Sequence, residues 1–429
     1  MGRYPPLIIA GASYAGLQLA ASAREQGYDG RIVMVGEEAH HPYQRPPLSK
    51  GLLTGKVMPE QLSMRSAEYY RDKGIELLLN QRVVAISPNE RRVQLADGGT
   101  LDYGWLALTT GARCRTLDLS GAGLDGVFTL RSLDDALHIA NRTQEAASAC
   151  IVGGGFIGLE IASALQARGV QTTVVEAQPR LLARSFPPMM SEYLLQAHRA
   201  RGVCIQLGRS LRALHGDAGR VTQAELADGT LIPCDMVVAG IGVVPNAELA
   251  AAAGLACDNG ILTDACGRTR AEHILAAGDA ARMLLPAWGP ATVPGRYRLE
   301  SIQAANDGAR ACASVVTGQP RPCTAVPWFW SDQFDLKFQM AGLPHPDDQV
   351  ALRGDPESDR FCVFYLRHGR VAAVHTVNRP AEHMLGRRLV AAGAALSPEQ
   401  AADAGFDLKS ALDPDLGVRP DRKVWQTQS

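Results

Sequence analysis

The sequence predicts an α/β chain with two parallel-sheet units and a C-terminal α+β domain carrying an antiparallel sheet. Three observations predict it. The stretch LIIAGASYAGLQLA at 7–20 reads as a buried strand, a small-residue turn and a helix. The stretch CIVGGGFIGLE at 150–160 repeats that order. From Val326 onward the text turns strand-like, with VPWFWSDQ, LKFQMAGL, FCVFYLRHG and RVAAVHTVN separated by Gly, Pro and Asp.

In the first unit, Leu7, Ile8 and Ile9 form the apolar run of a buried parallel strand, and Gly16 opens the helix that carries Leu17, Leu19 and Ala20. Gly11, Ser13 and Gly16 occupy the three positions of a dinucleotide-binding fingerprint. There, backbone N–H groups at a helix N-terminus receive a pyrophosphate. Ser13 stands where glycine is usual. A second strand, Arg31 to Gly36, ends at Glu37 and Glu38, and Glu37 lies 21 residues after Gly16. That is close to the roughly 20 expected of the acid that binds a ribose hydroxyl pair. In PYQRPPLSK, Pro46 and Pro47 stiffen the entry to a helix with Ser49 as its expected cap. Arg45 and Lys50 flank this corner, and spacing alone leaves them open between surface cations and phosphate partners. Strands follow around Ile75 to Leu79, Arg82 to Ile86 and Val93 to Leu95. Leu106 to Thr110 then leads to the Thr110-Gly111 turn, where the chain leaves the first domain.

The second unit fills all three glycine positions, with Gly153, Gly155 and Gly158, and Phe156 and Ile157 lie inside the motif. Its next strand ends in Glu176, 18 residues after Gly158. A carboxylate there bonds the adenosine ribose and repels a 2′-phosphate, which favours NADH over NADPH. Arg180 and Arg184 lie nearby and temper that preference. The candidate NADH set is Gly153, Gly155, Phe156, Ile157, Gly158, Glu176, Arg184 and Gly242.

A third cluster closes the nucleotide units. Asp235 to Asn246 is a strand followed by Gly240, Gly242 and a Pro245 turn, and Ile274 to Asp279 is another strand ending in Gly278-Asp279. A helix is expected from Ser301 to about Val316, and a terminal one near Ala381 to Ala392. The expected domains are 1–115 with 246–325, then 116–245, then 326–413, with a polar tail at 414–429.

Bulk properties set limits. At ~150 residues per domain, 429 residues suggest about three domains. Formal net charge is −1, which advertises no nucleic-acid or anionic-membrane affinity. Nine scattered cysteines, none in a Cys-x-x-Cys pair, point to reduced thiols in a cytoplasmic protein. Arg3 before an apolar run imitates a signal peptide, but the glycines in that run fit the nucleotide unit better. No stretch approaches the ~20 apolar residues of a membrane span. No metal-ligand spacing stands out among the ten histidines.

Two dinucleotide units in one chain suggest hydride transfer between two bound cofactors, and a flavin is the partner that takes a hydride and releases electrons singly. The ordered motifs PYQRPPLSK, TTGA, GGGFIGLE, AGIGVVPN, AAGDAAR, RLESIQAA, VPWFWSDQ and HTVNRP also carry a resemblance. From about Leu7 to Asn378 the chain resembles the flavin-dependent NAD(P)H–ferredoxin reductases of bacterial oxygenase systems, which have a glutathione-reductase-like fold. The resemblance implies FAD in the first unit and NADH in the second. It implies FAD contacts at Ala15, Glu37, Arg45, Lys50, Val83 (through the backbone), Arg131, Asp279 and Ile302, beside the fingerprint residues Gly11, Ser13 and Gly16 and the Thr110-Gly111 turn. The helix from Ser301 looks like the one aimed at flavin N1 and O2. Lys50 and Glu160 look like the family's ion pair beside flavin N5. Ser13 and Thr109 depart from the commoner Gly and Ala.

Disulfide-reducing relatives of this fold keep a redox cysteine near position 42, where this chain has His41-Pro42-Tyr43. No Cys or His/Cys cluster marks a fused iron–sulfur module, so electrons must leave to a separate 2Fe–2S ferredoxin, which feeds an oxygenase. Trp328 and Trp330 are candidates for the ferredoxin-side edge, and a monomer or weak dimer is expected. Two other readings stay open: an NADH-responsive redox sensor resembling apoptosis-inducing factor, and a flavin NADH oxidase.

Overall fold

A computed structural model describes residues 3–412, and the expected tail at 414–429 lies outside the described residues. The chain divides into two compact units. Among the described residues the first comprises 3–285, 295–323 and 331–335; the second comprises 286–294, 324–330 and 336–412.

The first unit holds two five-stranded parallel sheets. One runs in the order Ile274–Ala276, Trp105–Leu108, Leu7–Ala10, Ile32–Val35, Ile75–Leu78. The apolar run at Leu7–Ala10 is central, and every residue in it is buried, as a strand covered on both faces must be. Its side chains alternate between two cores. Leu7 and Ile9 pack with Leu17, Leu19 and Ala309, from helices Tyr14–Glu25 and Ile302–Val316. Ile8 and Ala10 pack with Val93, Leu95 and Leu106 on the other face. The second sheet runs Cys204–Leu207, Gln171–Glu176, Ser148–Val152, Met236–Ala239, Val127–Thr129. In both sheets the fingerprint strand lies where the strand order reverses. Ligands of open parallel sheets bind at that switch point.

Two antiparallel meanders, Val83–Ser87 with Arg92–Leu95 and Thr100–Asp102, and Leu211–Asp217 with Arg220–Leu226 and Leu231–Pro233, are inserted between parallel strands. The pair Ala112–Cys114 and Val243–Pro245 runs antiparallel where the chain passes between the two sheet regions. Two local expectations need correction. The first helix begins at Tyr14, with Ser13 at its N-cap, and Gly16 sits in the first turn. Ser49 caps no helix: Pro46–Ser49 is a single 3₁₀ turn with Ser49 as its last residue. Two consecutive prolines set the turn but do not extend it.

The second unit carries the expected antiparallel sheet. Leu336–Gly342, Arg370–Val377, Arg360–Arg367 and Gln349–Asp355 are neighbours in that order, and residues 328–330 begin the edge strand Trp328–Gln333. Helix Pro380–Ala392 packs on it, with Gly386 so close to Val374 that an added Cβ would lie 3.0 Å from that side chain. Among the described residues no helix is long and apolar enough to cross a membrane.

Candidate functional site

Glycine is required at the fingerprint turns by close backbone approach. A Cβ on Gly16 would stand 2.1 Å from the Gly11 carbonyl oxygen, and one on Gly158 would stand 2.1 Å from that of Gly153. Gly11 and Gly153 have positive φ, 122° and 110°. Gly155 differs: its φ is −83°, and a Cβ there would meet nothing within 4 Å. The space over Gly155 is therefore open, as close approach by a phosphate needs. Neither helix Tyr14–Glu25 nor helix Phe156–Ala167 has a side-chain cap, so the first N–H groups of both remain available to an anion. Thr109 ties the first turn to the neighbouring strand, donating its hydroxyl 2.9 Å to the Gly11 carbonyl.

Beside the first turn stands a fixed cation. Arg45 donates to Glu38 (2.6 Å), to the Arg131 carbonyl (2.6 Å) and to the Ser13 hydroxyl (3.3 Å). The Ser13 side chain is thus turned toward Arg45 and away from its own helix. Tyr43 donates to Glu38 and accepts from the Leu133 N–H at 2.8 Å. Burial pushes its phenol well up, Arg45 opposes this, and the Glu38 carboxylate adds to it. Burial likewise pushes the Tyr14 phenol to about 12. Arg131 pairs with Asp279 at 2.8 Å, Asp279 lying in the turn Gly278–Ala280 just past its strand. The Thr110 hydroxyl donates to the Asn246 carbonyl at 2.7 Å, and Gly111 turns at φ 68°.

Of the strand-end acids, Glu37 is 73% exposed and 3.5 Å from Arg82, while Glu38, which sequence reasoning passed over, turns inward to Arg45. Ala15 and Val83 are buried near the same strand ends, and Ile302 opens its helix behind the Ser301 cap. On the second sheet, the Glu176 carboxylate accepts from the backbone N–H of Gly154 (2.6 Å) and of Gln178 (2.7 Å). Phe156 stacks edge-on against Phe186 at 5.6 Å, Ile157 and Arg184 are exposed, and Gly242 has φ 96°.

An ion pair ties the Pro46–Ser49 corner to the helix of the second fingerprint. Lys50 Nζ lies 2.6 Å from Glu160 Oε2, and the Ser49 hydroxyl donates to that same oxygen at 2.5 Å. Glu160 is 2% exposed, and Ser331 donates to its other oxygen at 2.6 Å. Ser49 and Ser331 carried no functional expectation beyond capping, because isolated serines give no periodic signal. The residues present thus fit a dinucleotide at each turn: open approach at Gly155, uncapped N–H groups, and Arg45 beside the first.

Residues 5–309 match the model of the pyridine nucleotide-disulphide oxidoreductase family, and residues 328–412 match that of the reductase C-terminal family. The chain belongs to the pyridine nucleotide-disulphide oxidoreductase family. Its relatives include rhodocoxin reductase of Rhodococcus erythropolis, 42% identical over 95% of this chain and 94% of the relative. Putidaredoxin reductase of Pseudomonas putida is 35% identical over 95% of this chain and 96% of its own. The solved ferredoxin reductase for the CYP199A2 system from Rhodopseudomonas palustris superposes with a TM-score of 0.91 at 40% identity, covering 95% of this chain and all of that one. The reductase in a covalent putidaredoxin reductase–putidaredoxin complex does so with 0.91 at 34%, covering 96% and 99%. The fold class and the resemblance read from the sequence are borne out. The family's name mentions disulphide, and all nine cysteines of this member are free thiols.

Proposed function

We propose that this chain is an FAD-dependent NADH–ferredoxin reductase that supplies electrons to an oxygenase through a separate 2Fe–2S ferredoxin. The observation that carries the reading is the Lys50–Glu160 pair, which joins the Pro46–Ser49 corner to the helix of the second fingerprint within one compact unit. In this reading residues 1–115 with 246–325 hold FAD, 116–245 hold NADH, and 326–413 form the C-terminal domain. Bound FAD would supply the conversion of a two-electron donor into single-electron delivery. Overall, one NADH and two oxidised ferredoxins give NAD⁺, one proton and two reduced ferredoxins.

The chain's own groups have separable tasks. Gly11, Ser13, Ala15 and Gly16 present backbone to the FAD pyrophosphate, with Arg45 neutralising it and Glu37, Val83, Thr110, Gly111, Arg131, Asp279 and Ile302 completing the contacts. Gly153, Gly155, Phe156, Ile157, Gly158, Glu176, Arg184 and Gly242 receive NADH. Lys50 and Glu160 hold a fixed charge pair between the two. The solved ferredoxin reductase from Rhodopseudomonas palustris supports the ferredoxin partner by name, and nine free thiols support the cytoplasm as the compartment.

The test is anaerobic mixing with NADH, followed by ferredoxin-dependent reduction of cytochrome c. Flavin bleaching with NADH and electron delivery only when a 2Fe–2S protein is present is the expected result. Bleaching with no 2Fe–2S acceptor able to take the electrons would overturn the proposal.

A further inference from the structure

Behind Glu160 a chain of buried polar side chains runs away from Lys50. Ser331 Oγ lies 2.6 Å from Glu160 Oε1, Gln333 Nε2 lies 3.1 Å from Ser331 Oγ, and His198 Nε2 lies 2.8 Å from Gln333 Oε1. Ser331, Gln333 and His198 are each fully buried. All of them belong to the first compact unit, His198 on helix Pro188–Ala200 and Glu160 on helix Phe156–Ala167.

The direction of every bond follows from the chemistry of the groups. A carboxylate only accepts, so Ser331 spends its one proton on Glu160. Ser331 Oγ must then accept from the Gln333 amide N–H. The Gln333 carbonyl is left facing His198, so His198 carries its proton on Nε2. Its Nδ1 has no partner among the described residues, and burial pushes this histidine down to about 4, which keeps the ring neutral. Every proton in the chain therefore points toward Glu160, with Ser49 and Lys50 donating from the other side. The surroundings of His198 agree: its ring meets Phe334 edge-on at 5.2 Å, and Arg201 is drawn off to Asp335 at 2.7 Å.

We propose that Gln333 and His198 are positioning residues: they hold the Glu160 carboxylate in one rotamer and through it fix the Lys50 ammonium. The catalytic consequence rests on the reading that Lys50 and Glu160 stand at the flavin. An amide turned by a histidine is a directional support of a kind that a buried carboxylate needs, because its carbonyl only accepts and its N–H only donates. The bonds that Ser331, Ser49 and Lys50 make to the carboxylate itself are charge-assisted and hold geometry more tightly than neutral ones.

The test uses the full-length holoprotein and two readouts. The first is the rate at which Lys50 is acetylated by an amine-reactive ester, read by peptide mass spectrometry. The second is the split between kcat and KM for NADH. In Gln333→Met the labelling of Lys50 rises about fivefold, the scale of losing one neutral hydrogen bond. In that variant kcat falls by a similar factor while KM for NADH holds. His198→Phe keeps the ring against Phe334, removes only the donor, and gives a smaller change of the same sign. It also serves if Gln333→Met fails to fold. Ser163→Ala is the structural control: it removes the acceptor, on the same helix as Glu160, to which the Phe334 N–H donates, and it leaves Lys50 labelling at the wild-type rate. Wild-type labelling in both chain variants, or an equal rise in Ser163→Ala, overturns the positioning role. Faster labelling with unchanged kcat retains the chain and instead overturns the placing of Lys50 at the flavin.

Discussion

Lys50 and Glu160 stand 2.6 Å apart although 110 residues separate them, and the two partners differ sharply in burial: the lysine side chain is 21% exposed and the carboxylate 2%. That asymmetry decides which half of the pair is dangerous to lose. Without Lys50 the carboxylate remains inside with hydroxyl donors only, whereas a lysine freed of its partner can reach water.

Lys50→Met is therefore expected to cost about 3 kcal/mol, the scale for stranding a buried charge. Glu160→Gln should cost clearly less, because its amide oxygen still accepts from a serine hydroxyl. Denaturant unfolding followed by fluorescence compares them. Equal losses, or a larger one for Glu160→Gln, would show that the pair does not carry the charge balance described.

The glycines of the second fingerprint separate binding from folding. Gly155→Ala meets no atom and keeps an ordinary backbone, so its melting temperature should match wild type. Its KM for NADH should rise about tenfold or more if a phosphate approaches there, as the loss of one close charged contact requires. Gly158→Ala drives a methyl group into the Gly153 carbonyl and should lower the melting temperature markedly. Melting curves and NADH kinetics on the two variants check both halves. A Gly155→Ala enzyme with wild-type KM removes the phosphate from that turn.

What could be read in the sequence follows physical rules. Leu7–Ala10 and Ile32–Val35 are buried on both faces, and such strands must be continuous apolar runs. Gly16 and Gly158 show because nothing larger fits against the neighbouring carbonyl. The meander strands were partly missed: Thr100–Asp102 is short and mostly exposed and carries no apolar alternation. The support of Glu160 was missed for a different reason. Ser331 lies 171 residues from Glu160, and His198 lies 135 from Gln333. Polar pairs so distant leave no local pattern, and VPWFWSDQ draws the eye to Trp328 and Trp330. Those two rings stack 5.5 Å apart, with Arg387 over Trp328, while the polar end of the motif holds the carboxylate.

Coenzyme preference follows from Glu176. Two backbone N–H groups fix its carboxylate at the end of the strand, where a 2′-phosphate would meet a held negative charge. NADH should give the higher kcat/KM, and Glu176→Gln should shift the NADPH/NADH ratio toward NADPH by about tenfold, one charge's worth of repulsion. Steady-state kinetics with both coenzymes decide it. A wild-type enzyme that uses NADPH as well as NADH contradicts the role given to this carboxylate.

Acid sensitivity follows from three buried histidines. Burial is the first cause in each: His198 and His383 are pushed down to about 4 and His375 to about 3. Above the ordinary histidine value of about 6.5 the folded and unfolded chains are equally unprotonated at these positions, and their titration takes nothing from stability. Below it the unfolded chain takes up protons that the folded chain refuses, so stability is lost as pH falls from about 6.5 toward 4. The melting temperature should therefore be flat from pH 8 to 7 and drop steadily below 6. His383 is the most informative of the three, since neither ring nitrogen has a hydrogen-bond partner among the described residues and the ring lies 5.9 Å from Trp328. His383→Leu should raise stability by about 1 kcal/mol at pH 7.5, by removing a buried polar group, and should make the acid decline shallower by one histidine's share. Calorimetric scans at pH 7.5, 6.0 and 5.0 measure both effects, and an unchanged acid slope in His383→Leu would mean that this imidazole takes up its proton in the fold as readily as in the unfolded chain.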